Sequence, residues 1–90
     1  MGIDYSRCST ADLHRMDFIG TKVVDAIVAK LSAQYPHSVD LLFPPQWPFP
    51  DIGTAETYGD EVLKDVLVAA EVGSSAILAR LELEIRGQPN

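Results

Sequence analysis

The chain has 90 residues and a formal net charge of −6, from 13 acidic against 7 basic side chains, with 47% hydrophobic residues and a single cysteine. At that size one domain with one modest core is expected, exposing about 5,200 Å² folded against about 14,000 Å² unfolded. A lone thiol makes no internal disulfide, and no dense Cys or His group supplies a zinc set, so neither a staple, a metal nor a cofactor is expected.

Charge is unevenly spread. Residues 1–34 balance Asp4, Asp12, Asp17 and Asp25 with Arg7, Arg15, Lys22 and Lys30, so the whole −6 falls in residues 35–90. That half repels a phosphate backbone, and no basic cluster compensates; a nucleic-acid partner is not expected. The opening residues lack a cationic stretch ahead of an apolar one, and no apolar run is long enough to span a bilayer. A cytoplasmic location without a membrane partner is the expectation.

Residues 1–9 read as a polar N-terminal tail. Ser9 followed by Asp12 resembles a capping box, with Asp in place of Glu. The row Leu13, Met16, Gly20, Val23, Ile27 and Leu31 then predicts an amphipathic helix over 10–34. Pro36 ends it by disfavouring helical geometry at Tyr35. Gly20 lies on the apolar stripe, where a small residue allowing a close helix crossing is preferred to a break near Phe18.

Residues 35–53 hold five of the six prolines. They predict an extended crossover with one helical turn near Ser38–Leu42. Val39, Leu41, Leu42, Phe43, Trp47, Phe49 and Ile52 are too apolar for a solvated linker, so the segment must lie on something. Pro45-Gln46-Trp47-Pro48 is formally a PxxP, but it lacks the flanking base of an SH3 ligand.

Thr54 or Thr57 is the expected cap of a second helix over 54–86, with Glu56, Asp60 and Glu61 near its N-terminus. Its apolar arc is wide. A kink is possible at 73–75, where Gly73, Ser74 and Ser75 follow one another. Residues 80–86 alternate polar and apolar like a strand, whereas Ile77, Leu81 and Ile85 lie four apart like a helix; a lone strand would have no partner, so helix is preferred. Gly87 and Pro89 then stop it.

Chemistry-bearing groups are sparse. Cys8 and His14 have no third group to orient them, and of Asp12 and Asp17 only the latter neighbours His14 on a helix. The like-charged pairs Glu56/Asp60 and Glu61/Asp65 fit a solvated acidic face. No phosphate loop, nucleophile elbow or metalloprotease motif is present, and no catalytic residue is expected.

The expected architecture is all-α: a helical hairpin of two long helices joined by a Pro-aromatic crossover, completed by oligomerisation or a protein partner. The expected function is a non-catalytic protein–protein interaction module, a small accessory or assembly subunit. Its expected binding residues are Phe43, Trp47, Phe49, Val62, Val66 and Ala70. Two other readings stand beside it: a small-molecule-binding or enzymatic helical domain using Tyr35, His37 or Trp47, and an acidic inhibitor that mimics nucleic acid.

Overall fold

A computed structural model of the chain describes residues 4–45 and 49–87, which form four α-helices and no strand. Trp47, with its PxxP neighbours Gln46 and Pro48, and Pro89 lie outside the described residues.

The first long helix, α1, covers Thr10–Gln34. Ser9 is extended, and its Oγ accepts the Asp12 amide at 3.1 Å, satisfying one of the free donors at the helix start. At the other end the Tyr35 amide donates to the Leu31 carbonyl at 2.7 Å, and Pro36 follows.

A single turn, α2 (Val39–Leu42), interrupts the proline-rich segment as expected, although Ser38 gives it no side-chain cap. The Asp51 amide donates to the Leu42 carbonyl at 2.7 Å, which draws the two ends of the Phe43–Pro50 stretch together.

The helix expected over 54–86 is two helices: α3 (Ile52–Tyr58) and α4 (Asp60–Ile85). Asp51, not Thr54 or Thr57, caps the first. Its Oδ2 accepts the Thr54 hydroxyl at 2.8 Å and its Oδ1 the Thr54 amide at 3.1 Å, and these bonds hold the Asp51 carboxyl below its ordinary range. The break falls at Gly59, whose φ of 105° is a conformation that side chains with a Cβ rarely adopt. Asp60 and Glu61 then sit in the first turn of α4, where the helix dipole favours them.

There is no break at 73–75. The helix runs through to Ile85, and the Ser74 hydroxyl bonds back to the Ala70 carbonyl at 2.6 Å. The strand-like alternation is therefore helical through Ile85, with Arg86 as the C-cap. Gly87 ends the helix at a φ of 72°, its amide donating to the Glu84 carbonyl.

Two long helices pack along one seam, and its width varies. At mid-length Gly20 lies so close to α4 that an added Cβ would sit 2.5 Å from the Val72 carbonyl oxygen and 2.7 Å from the Ala76 Cβ. Larger side chains fill both ends. Leu31, Leu42, Ala55, Val62 and Val66 form one cluster, with Ile27, Tyr35, Phe43, Tyr58 and Leu63 packed on it. Leu13, Ala79 and Leu83 form the other, covered by Tyr5, Cys8 and Met16.

The N-terminal segment is not a free polar tail. Asp4 caps a 3-10 turn over Tyr5–Arg7, and Arg86 fastens that turn to the end of α4. The Arg86 Nη2 donates to the carbonyls of Tyr5 and Ser6 at 3.2 and 3.1 Å, Nη1 to the Thr10 hydroxyl at 3.3 Å, and Nε to Glu82 at 3.1 Å. Arg86→Ala should release the segment, with faster amide exchange over residues 4–9 and a loss of about 1–3 kcal/mol in stability, since the guanidinium is mostly buried and charge-assisted. Exchange rates unchanged from the parent would contradict this fastening.

The resulting shape is elongated, with principal extents of 39 × 26 × 19 Å and a radius of gyration of 14.2 Å; a compact chain of this length would have about 12 Å. Its surface is 6012 Å². That is about 800 Å² more than the value expected for a monomer of its mass.

Candidate interaction surface

α4 carries two opposed apolar faces. Val62, Val66, Ala69, Ala76, Ala79 and Leu83 are buried towards α1 and α3. At 100° per residue, Leu67, Leu78, Leu81 and Ile85 fall within about 40° of one line on the far side of the helix. They are 45, 46, 49 and 79% exposed. Glu71 and Ser74 complete the row, so its members succeed one another at spacings of four, three, four, three and four, the repeat of a helix that packs on another helix. α1 covers only the opposite face. α3 reaches only the start of α4, where Leu63 is half-buried against the Leu31 cluster.

Other exposed apolar residues are dispersed. Phe18 lies under the Lys22 ammonium, 5.5 Å from its ring centroid, and Ile19, Leu41, Ile52 and Val68 stand on different faces of different helices. Single exposures of that kind are ordinary on protein surfaces.

Of the six residues singled out from the sequence Trp47 lies outside the described residues, and the other five are not brought together on one exposed surface. Val62 and Val66 are buried in the chain's own core, 3 and 0% exposed, because α4 turns that row towards α3 and α1. With the fold intact no partner reaches them. Phe43 packs on the same cluster and is half-buried, as are Phe49 and Ala70.

Charged groups mostly tie the helices to each other. Asp17 is buried in the α1–α4 seam and receives the Arg80 guanidinium through Nη2 at 2.6 Å and Nε at 3.1 Å. The Thr21 hydroxyl donates to the same Asp17 oxygen at 3.4 Å and lies 3.2 Å from Arg80 Nη2. Arg80 is held above its ordinary pKa chiefly by the Asp17 hydrogen bond. Towards the other end of the seam, Lys30 bonds Asp65 at 2.8 Å, and this contact raises the lysine's pKa. The Asp17–Arg80 pair was readable in principle. Asp17 stands four residues after Leu13 and three before Gly20, and Arg80 four after Ala76 and three before Leu83, so each apolar stripe carries one charge of opposite sign.

The catalytic candidates stay apart. Cys8 donates its thiol to the Asp4 carbonyl at 3.7 Å and packs on the Leu13 cluster, while His14 is exposed on α1 beside Phe18 and Asp17. Among the described residues no group of three or more His, Cys, Asp or Glu side chains could hold a metal ion. Beside the exposed row a groove of about 320 Å³ runs between α1 and α4, lined by Arg15, Met16, Ile19, Glu71, Val72 and Ser75 among others. Among the described residues no helix is long and apolar enough to cross a membrane.

No protein-family model matches this chain, no curated protein matches it, and no solved structure matches it.

Proposed function

We propose that this chain is a non-catalytic protein–protein interaction module, a small accessory or assembly subunit that binds through the outward face of α4. The observation that carries this reading is the row Leu67, Leu78, Leu81 and Ile85, about half or more exposed along one line opposite the core. Burying the rest of each side chain on a partner would contribute about 1 kcal/mol per residue. A contact of that strength suits a regulated or assembly-driven association.

The acidic-mimic reading has less support. Asp65 and Glu82 on α4 are bonded to Lys30 and Arg86, so their charge is partly neutralised within the chain. A cytoplasmic location accords with a surface of this composition, mixed in charge and with one apolar row.

A photoreactive side chain placed at 78 or 81 in the native cell should give a discrete protein adduct. The same group at Ala29, exposed on the face of α1 away from Leu13, Gly20 and Leu31, should give none. Absence of any adduct from 67, 78 and 81 would overturn the proposal.

A further inference from the structure

We infer that the cavity at the C-terminal end of α1, where α3 gives way to α4, is a binding site for a small primary organic ammonium. It encloses about 530 Å³, within the roughly 300–1,000 Å³ of small-molecule sites. Lys30 and Tyr35 line it from the end of α1, Tyr58 from the end of α3, and Asp60, Glu61 and Asp65 from the start of α4. The site does not rest on the outward row of α4, so its test can fail while the interaction reading holds.

Two kinds of group set the chemistry of the ligand. The rings of Tyr35 and Tyr58 lie 4.9 Å apart between centroids and at 58° to each other, an angled aromatic wall. Ring faces carry the negative part of an aromatic quadrupole and attract a cation. Both rings pack on the Leu31 cluster and are half-buried, so the wall is in place before a ligand arrives. Beside it stand three carboxylates against one ammonium, which leaves negative charge in surplus. Asp65 raises the Lys30 pKa through its hydrogen bond and its charge, and Glu61 adds to the rise, so the Glu61 charge is felt inside the cavity. The C-terminus of α1 and the N-terminus of α4 meet here with opposite partial charges that oppose each other, so the side chains decide the sign.

An organic ammonium fits these groups better than a metal ion. Among the described residues no group of three or more His, Cys, Asp or Glu side chains could hold a metal ion, so the carboxylates border the cavity without converging on one point. A hard cation needs a full shell of oxygen ligands and has no use for the two rings. The chain itself shows the favoured contact: the Lys30 Nζ, a primary alkylammonium, donates to Asp65 Oδ2 at 2.8 Å. Among the described residues no base forms an ion pair with Asp60 or Glu61. A ligand ammonium would donate to these two carboxylates, with its carbon chain against the tyrosine rings and Val62, which lines the cavity as well.

The test is an amide chemical-shift titration of the full chain with butylammonium chloride, sodium chloride being withdrawn in step to hold the ionic strength constant. Shifts that saturate and centre on Tyr35, Tyr58, Asp60 and Glu61 are expected. Butanol, which has the chain without the charge, and calcium chloride should give no saturating shift there. Glu61→Gln and Tyr58→Leu should each weaken binding about two- to fivefold with the circular dichroism unchanged, because Glu61 is exposed and leucine keeps an apolar contact with the core. Shifts that stay linear in butylammonium, or an equal response to butanol, would overturn the site. A saturating response to calcium at lower concentration would make it a metal site instead and overturn the organic ligand. Tetramethylammonium binding as tightly as butylammonium would overturn the N–H donation assigned to Asp60 and Glu61.

Discussion

Val66→Asp is expected to unfold the chain at 25 °C, while Leu67→Asp, one residue further on, is expected to leave it folded. The two side chains are about 100° apart around α4, one turned into the core and the other towards solvent. Val66 has no exposed surface and touches the cluster of Leu31, Leu42, Ala55 and Val62, which joins α1, α2, α3 and α4. An aspartate there would bring a charge or a carboxylic acid into a site lined by aliphatic side chains, and remove the valine packing as well. The combined cost is several kcal/mol. A 90-residue domain has about 5–13 kcal/mol of stability in all, and one with a core this small belongs near the lower end of that range. At position 67 the side chain is 45% exposed, and the substitution costs only the modest difference in helix propensity between Leu and Asp. Circular dichroism of the two variants checks the pair directly. A helical, cooperatively melting Val66→Asp chain would mean that α4 is rotated from the orientation described here. The contrast also shows why substitution at Val66 cannot report on association: any loss of binding would follow from loss of the fold, whereas Leu67→Asp removes one contact from an otherwise intact surface.

The same distinction marks what could be read from the residues alone. Both ends of α1 were legible because local chemistry sets them: the Ser9 hydroxyl on the Asp12 amide, and Pro36 behind Tyr35. The helical state of 80–85 was legible from Ile77, Leu81 and Ile85 at spacings of four. The division at Gly59 was not. A glycine inside a helix costs only about 1 kcal/mol, and the apolar spacing continues across it from Tyr58 to Val62, so nothing local separates a break from a tolerated interior residue. Docking of the N-terminal turn was beyond any local signal, since the Arg86 that holds it lies about 80 residues away. The candidate surface was half legible. Spacing shows that α4 has apolar residues almost all the way round, but not which row α1 takes. That choice follows from the small residues: Ala69, Ala76 and Ala79 match the close approach at Gly20, and Leu67, Leu78, Leu81 and Ile85 do not. Val62 and Val66, singled out from the sequence for a partner, belong to the row that the chain uses itself.

Gly20→Val should be the most damaging single change on α1, and it tests the seam that turns the other α4 row outward. An ideal Cβ at that position comes within 2.5 Å of the Val72 carbonyl oxygen and 2.7 Å of the Ala76 Cβ, both held in the helix body with no flexible end to move aside. The two helices must separate. Separation at mid-seam also loosens the packing at each end, where Leu13 meets Ala79 and Leu83 and where Leu31 meets Val62 and Val66. Overpacking of this kind costs about 3 kcal/mol, towards the upper end of its usual range. In a domain of this size that corresponds to a fall of roughly 15 °C in Tm. Gly20→Ala gives a sharper test of sign. In an ordinary helix interior the change would stabilise by about 1 kcal/mol, but here the Cβ alone creates the overlap, so the variant should melt below the parent. Gly73→Ala is the control: it too is interior to a helix, but its Cβ would meet only the Val24 Cγ2, at 3.3 Å, the end of a side chain that can yield, so its Tm should be no lower than the parent's. A Gly20→Ala chain that melted higher than the parent would mean that α1 and α4 do not cross at that residue, and the assignment of inward and outward faces on α4 would fail with it.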